Sequence, residues 1–115
     1  MASPFTVELT MPEPPGEAQA RAANDLTEPA RAIGLRLTGR AAGELQYKPR
    51  MQFPFMIVLW HTLNGEKMTV KFDPGEGGGT RVTINGAVAR GSYPLASEPE
   101  HWTEALGGST GDGPR

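Results

Sequence analysis

With 115 residues, 15 glycines, 11 prolines and 37% hydrophobic residues, the chain supports one domain, rich in turns, with a core sufficient to fold without covalent staples. The absence of cysteine removes disulfides, thiolate metal sites and thiol catalysis, and fits a reducing, cytoplasmic setting. A net charge of −2 argues against bulk attraction to nucleic acid or anionic lipid, and no apolar run approaches the ~18 residues of a membrane span.

Phe5, Val7, Leu9 and Met11 alternate with Thr6, Glu8 and Thr10, the period of a strand. Met1-Ala2-Ser3-Pro4 before it lacks the basic and apolar regions of a signal peptide. Pro12 to Pro15 end the strand. Pro14-Pro15-Gly16-Glu17 then open a helix, because proline suits the first turn and Glu17 suits the helix dipole. Ala18, Ala22, Leu26 and Ala30 recur at a spacing of four, with Ile33 following, which gives a narrow apolar stripe on an otherwise polar helix. Pro29 interrupts the stripe and predicts a kink or two short helices, with Thr27 as cap of the second and Gly34 as its end.

From Leu35 the pattern turns to strands. Leu35 and Leu37 alternate with Arg36 and Thr38, Ala41-Ala42-Gly43 turns the chain, and Leu45 and Tyr47 alternate with Gln46 and Lys48. Residues 55–63 (Phe-Met-Ile-Val-Leu-Trp-His-Thr-Leu) read as a strand closed by Asn64-Gly65, a pair suited to a type I′ hairpin turn. A helix from Pro54 to that pair is the competing reading, disfavoured by Ile57-Val58 and the aromatics. The two-residue loop would pair His61 with Met68, Leu59 with Val70 and Ile57 with Phe72 on a core face. The other face would then carry Met56, Val58 and Trp60 opposite Lys67, Thr69 and Lys71.

Residues 73–79 form a loose loop, and Val82 and Ile84 mark a last strand. Asn85-Gly86 offers a second turn from which residues 87–90 could pair back. Residues 100–106 suit one or two helical turns. Residues 107–115, rich in glycine, have nothing to bury and are expected to form a disordered tail behind a domain spanning residues 1–106.

Little in this pattern carries chemistry. His61 and His101 are the only histidines, and with no cysteine they form no metal constellation; no metal and no cofactor is expected. Gly75-Glu76-Gly77-Gly78-Gly79-Thr80 is flanked by strands and lacks a following lysine, so it reads as a hairpin loop and not a phosphate loop. Arg36, Lys48, Lys67, Lys71 and Arg81 fall at outward positions beside Thr38, Thr69 and Thr83, which reads foremost as a solvated sheet face and secondarily as a nucleic-acid platform.

The order strand, proline-rich bend, helix and antiparallel meander, with Gly78-Gly79-Thr80-Arg81-Val82-Thr83 late in the sheet, resembles the Bet v 1/START-like helix-grip superfamily of polyketide cyclases and lipid-transport proteins. Phe5 to Leu9 followed by Pro12 to Glu17 is similar to that group's first strand and helix entry. The chain departs from it in offering only residues 100–106 where those proteins have a long C-terminal helix. A β-α-β4-α domain of the TATA-binding-protein-like type fits the length equally well. The resemblance implies a ligand cavity between helix and sheet.

The sequence thus predicts an α+β domain: an antiparallel sheet of five or six strands in β-α-β-β-β-β order, with one N-terminal helix, kinked or divided, packed on one face. Its expected role is non-enzymatic binding of a small apolar or amphipathic ligand lined by Leu9, Leu37, Tyr47, Leu59, Val70, Phe72 and Val82. The alternative is a partner or homodimer surface formed by Met56, Val58 and Trp60.

Overall fold

The computed structural model describes residues 3–49 and 66–106. Five strands form one antiparallel sheet: β1 (Ser3–Met11), β2 (Leu35–Ala41), β3 (Glu44–Pro49), β4 (Lys67–Pro74) and β5 (Thr80–Val88), in the order β1-β5-β4-β3-β2. Helices α1 (Pro15–Asp25) and α2 (Thr27–Ala32) follow β1, and α3 (Tyr93–Ala96) and α4 (Pro99–Leu106) follow β5. The fold is α+β.

Alternation decides which face is covered. Phe5, Val7, Leu9 and Met11 of β1 are buried, as are Met68, Val70 and Phe72 of β4 and Val82, Ile84 and Val88 of β5. Opposed residues of antiparallel strands share a face. Val7 faces Ile84 and Ile84 faces Val70, which in turn faces Leu45, so one apolar layer runs across the sheet. Ala18, Ala22, Leu26, Ala30 and Ile33 close over this layer from α1 and α2, all buried. Small residues on that stripe let the helix backbones approach the sheet closely.

The helix divides at Leu26, three residues before Pro29. Pro29 occupies the first turn of α2, where its missing N–H breaks no helical bond. Thr27 is therefore a helical residue and not the cap; Leu26 stands at the cap position with no side-chain hydrogen bond, and its N–H donates to the Ala22 carbonyl at 2.9 Å. Gly34, at φ 82°, ends α2, and its N–H donates to the Arg31 carbonyl.

Two sequence expectations are corrected. Asn85-Gly86 is not a turn: both lie inside β5, Asn85 opposite Thr6 and Thr69, Gly86 opposite Phe5 and Met68. Glycine is needed there because a Cβ would stand 2.3 Å from the Lys67 carbonyl oxygen and 2.8 Å from Met68 Cα. The pairing expected between β4 and Ile57, Leu59 and His61 is not the one β4 makes. Its edges are taken by β5 on one side and by Glu44 to Tyr47 of β3 on the other, and the Phe72 N–H donates to the Gly43 carbonyl. The division of faces on β4 itself is as expected, with Met68, Val70 and Phe72 buried and Lys67 and Lys71 exposed. The proposed strand at residues 55–63, its Asn64-Gly65 turn and the tail at 107–115 lie outside the described residues.

The C-terminal segment contributes more core than its short helical pattern promised. Trp102 of α4 is fully buried, stacks on Phe5 with ring centroids 6.4 Å apart, and donates its indole N–H to the Ala96 carbonyl at 2.8 Å. His101 stands edge-on to the same indole, with Nε2 3.0 Å from the Pro29 carbonyl oxygen. That contact joins α4 to α2. Arg21 of α1 binds Glu13 of the proline-rich bend through paired contacts (Nε–Oε2 2.5 Å, Nη2–Oε1 3.0 Å) and donates to the Leu106 carbonyl, so bend, α1 and α4 share one clamp.

Candidate functional site

A cleft of about 440 Å³ lies between the two N-terminal helices and the β2 edge of the sheet. Its helix wall is made of small and polar side chains: Ala20, Ala23, Asn24 and Thr27, continuing to Ala30 and Arg31. Leu35, Leu37 and Tyr47 supply the apolar sheet side, and Arg36 and Arg40 border it from the edge strand. Among the described residues no aspartate or glutamate lines it, although acidic residues outnumber lysine and arginine in the chain, 13 to 11.

The local sequence explains why a space is left there. The helix stripe that faces the core carries Leu26 and Ile33, which fill volume, whereas the flank toward β2 carries alanines. Gln19 fixes the far end of the hairpin. Its side-chain amide donates to the carbonyls of Ala41 (2.8 Å) and Glu44 (3.1 Å), and its Oε1 accepts from the Gly43 N–H (2.9 Å). The β2–β3 turn is thereby tied to α1 by three bonds.

Tyr47 borders this space from β3. Its side chain is 1% exposed, and its hydroxyl is buried with no hydrogen-bond partner among the described residues. Burial pushes its pKa up to about 12, against a smaller opposing pull from the Arg40 charge. The phenol is therefore neutral across the physiological range and holds a proton available for donation.

Arg40 reaches this side of the sheet through a β-bulge. Leu37 pairs with Tyr47 and Gly39 with Gln46, so the register shifts and Thr38 is the extra residue. Beyond the shift Arg40 pairs with Leu45, a buried residue of the helix-covered face. Simple alternation from Leu35 and Leu37 would have sent Arg40 to the open face. Gly39 faces Gln46 closely: a Cβ would meet its Oε1 at 2.9 Å, and the Thr38 hydroxyl donates to the Gln46 carbonyl at 3.3 Å. Arg31 shares its charge with Glu28 at 3.5 Å on the exposed rim, while Arg36 and Arg40 make no ion pair among the described residues.

Of the residues expected to line a ligand site, Leu37 and Tyr47 border this cleft. Leu9, Val70, Phe72 and Val82 are buried in the packed core beneath the helices, and Leu59 lies outside the described residues, as do Met56, Val58 and Trp60 of the expected partner surface. The sequence reading missed Arg40, Gln19 and the alanine flank. An isolated glycine within a strand pattern signals a bulge, so Gly39 was the available clue to Arg40. The basic positions of the open face are interleaved with acids: Lys71 lies opposite Glu44, Arg81 opposite Asp73, and Glu8 opposite Thr83. The glycine loop is structural, its Gly75 N–H donating to the Gly79 carbonyl and the Thr80 hydroxyl to the Glu13 carbonyl at 2.7 Å. Among the described residues no group of histidines and carboxylates could hold a metal, and no helix is long and apolar enough to cross a membrane.

No protein-family model matches the chain, and comparison with curated proteins and with solved structures likewise gives no match.

Proposed function

We propose that the protein is a non-enzymatic module that binds a small amphipathic ligand in the cleft between α1, α2 and β2. The observation that carries this reading is a 440 Å³ space bordered by Tyr47, whose buried hydroxyl has no partner among the described residues. A buried hydroxyl left unpaired costs about 1–3 kcal/mol, a cost that a ligand acceptor removes. The volume falls in the range of roughly 300–1,000 Å³ used by small-molecule sites. Apolar surface from Leu35 and Leu37 beside polar Asn24 and Thr27 suits a ligand with one apolar and one polar end. The order of strand, proline-rich bend, helices and antiparallel meander supports a helix-grip-like mode of binding, with helices closing over a sheet.

Octan-1-ol titrated into the protein, followed by amide chemical shifts, tests the site. Saturable shifts are expected at Ala23, Ala30 and Leu37. Ala20→Phe, which fills the cleft from an exposed helix position, should abolish them. Absence of saturable binding, or binding unaffected by Ala20→Phe, refutes the proposal.

A further inference from the structure

We infer that the ligand of this cleft carries a carboxylate, held between the Arg40 guanidinium and the Tyr47 hydroxyl, with its apolar part against Leu37 and Ala30. This rests on the cleft being a ligand site, as argued above, and adds the chemistry of the ligand's polar end.

Three independent features point the same way. The bulge at Thr38 interrupts the β2–β3 ladder, and its result is to bring Arg40 onto the face of Leu45 and Tyr47. Bulges that re-aim a side chain recur beside functional sites. Arg40 then has no acidic partner among the described residues, in a chain with an excess of acids. The uncompensated charge stands close enough to Tyr47 to act on its hydroxyl. Tyr47 itself offers a proton and has no acceptor for it among the described residues. A carboxylate meets both needs: its two oxygens can accept from the guanidinium and the phenol together, and charge-assisted bonds of this kind are the stronger ones. An ammonium group would face Arg40 as a like charge, and a neutral alcohol would leave the guanidinium unpaired.

The test compares octanoate, octan-1-ol and octylammonium on the full chain at neutral pH by calorimetry, with Arg40→Gln and Tyr47→Phe as variants. Arg40 is exposed and makes no hydrogen bond among the described residues, so its replacement should leave the domain intact, which circular dichroism verifies. Octanoate should bind about tenfold more tightly than octan-1-ol, the lower end of a charge-assisted bond at a partly exposed site. Arg40→Gln should bring octanoate down toward the affinity of octan-1-ol, and Tyr47→Phe should weaken octanoate several-fold. The octanoate affinity should also fall as salt is raised. Octan-1-ol or octylammonium binding as well as octanoate, or an octanoate preference that survives Arg40→Gln, overturns the carboxylate assignment and leaves the cleft itself as a binding site. Failure of all three probes to bind overturns the site and this inference with it.

Discussion

Tyr47→Phe removes one buried oxygen atom from a residue that borders the cleft, and its effect can be worked out from the surroundings of that atom. The ring is packed, 1% exposed, against Met68 across β4 and Leu37 across β2, so phenylalanine keeps the apolar contacts. The hydroxyl gives up its hydration on folding and gains no hydrogen bond among the described residues. Leaving such a group unpaired costs about 1–3 kcal/mol, so the unliganded variant should be more stable by about 1–2 kcal/mol. In a domain of this size each kcal/mol moves the unfolding temperature by about 4–8 °C. A second signature appears at high pH. The folded pKa is raised to about 12 from an ordinary value of about 10, so below 10 the phenol is neutral in both folded and unfolded chains and its contribution does not vary. Between about 10 and 12 the unfolded chain gives up its proton first, and the folded state loses up to about 3 kcal/mol relative to it. Tyr47→Phe lacks that loss. Urea unfolding of both proteins, at neutral pH and through this window, isolates the effect because every other titrating group is common to the two. A variant destabilised by more than about 1 kcal/mol at neutral pH would show that the hydroxyl has a partner of that worth, and parallel stability curves above pH 10 would show that it is hydrated.

The remaining predictions concern what positions the cleft. Trp102→Ala should cost about 3–5 kcal/mol in denaturant unfolding, since it removes a fully buried indole, its stacking on Phe5 and the bond to the Ala96 carbonyl. Gly86→Ala and Gly39→Ala should separate sharply by the same measurement. The first drives a methyl into the Lys67 backbone and should cost about 2 kcal/mol or more, whereas the second meets only the end of the Gln46 side chain and should stay within about 0.5 kcal/mol. Hydrogen bonding from Arg21 holds the Glu13 carboxyl below its ordinary value of about 4.5, so its contribution is present above that value and lost as pH falls through the folded one. Arg21→Met should cost about 1–2 kcal/mol at neutral pH, given partial exposure of the pair, and should remove that part of the acid sensitivity in a pH series of unfolding midpoints.

The chain's alternating patterns carried most of the sheet because a period of two has only one way to face a core. Val7, Leu9, Leu45, Val70, Phe72, Val82 and Ile84 are inward, as their spacing requires. Errors arose where a local signal competed with a tertiary one. Asn85-Gly86 has the chemistry of a turn, yet a nine-residue strand paired on both sides holds it extended, and the glycine serves the close approach of Lys67. The Asn64-Gly65 signal led to a pairing partner for β4 that β3 in fact supplies, since adjacency in sequence says nothing about which of two edges a distant strand takes. The core role of Trp102 depends on α4 reaching β1, a contact between chain ends that no window of sequence contains.

The cleft was the least legible part, and the reason bears on what it is for. A sequence shaped only for stability would place leucine or isoleucine on the helix flank now held by Ala20 and Ala23, since each buried methylene added there contributes about 0.8 kcal/mol. It would have phenylalanine at Tyr47, and an unbulged β2 in which Arg40 lay on the open face of the sheet. The three features come from different elements of the chain: α1 and α2, β3, and β2. They converge on one space of 440 Å³. Packing, hydrogen bonding and strand register thus meet at one place, and the proposed ligand site would need all three: room to admit a ligand, a donor to orient it and a charge to pair with it.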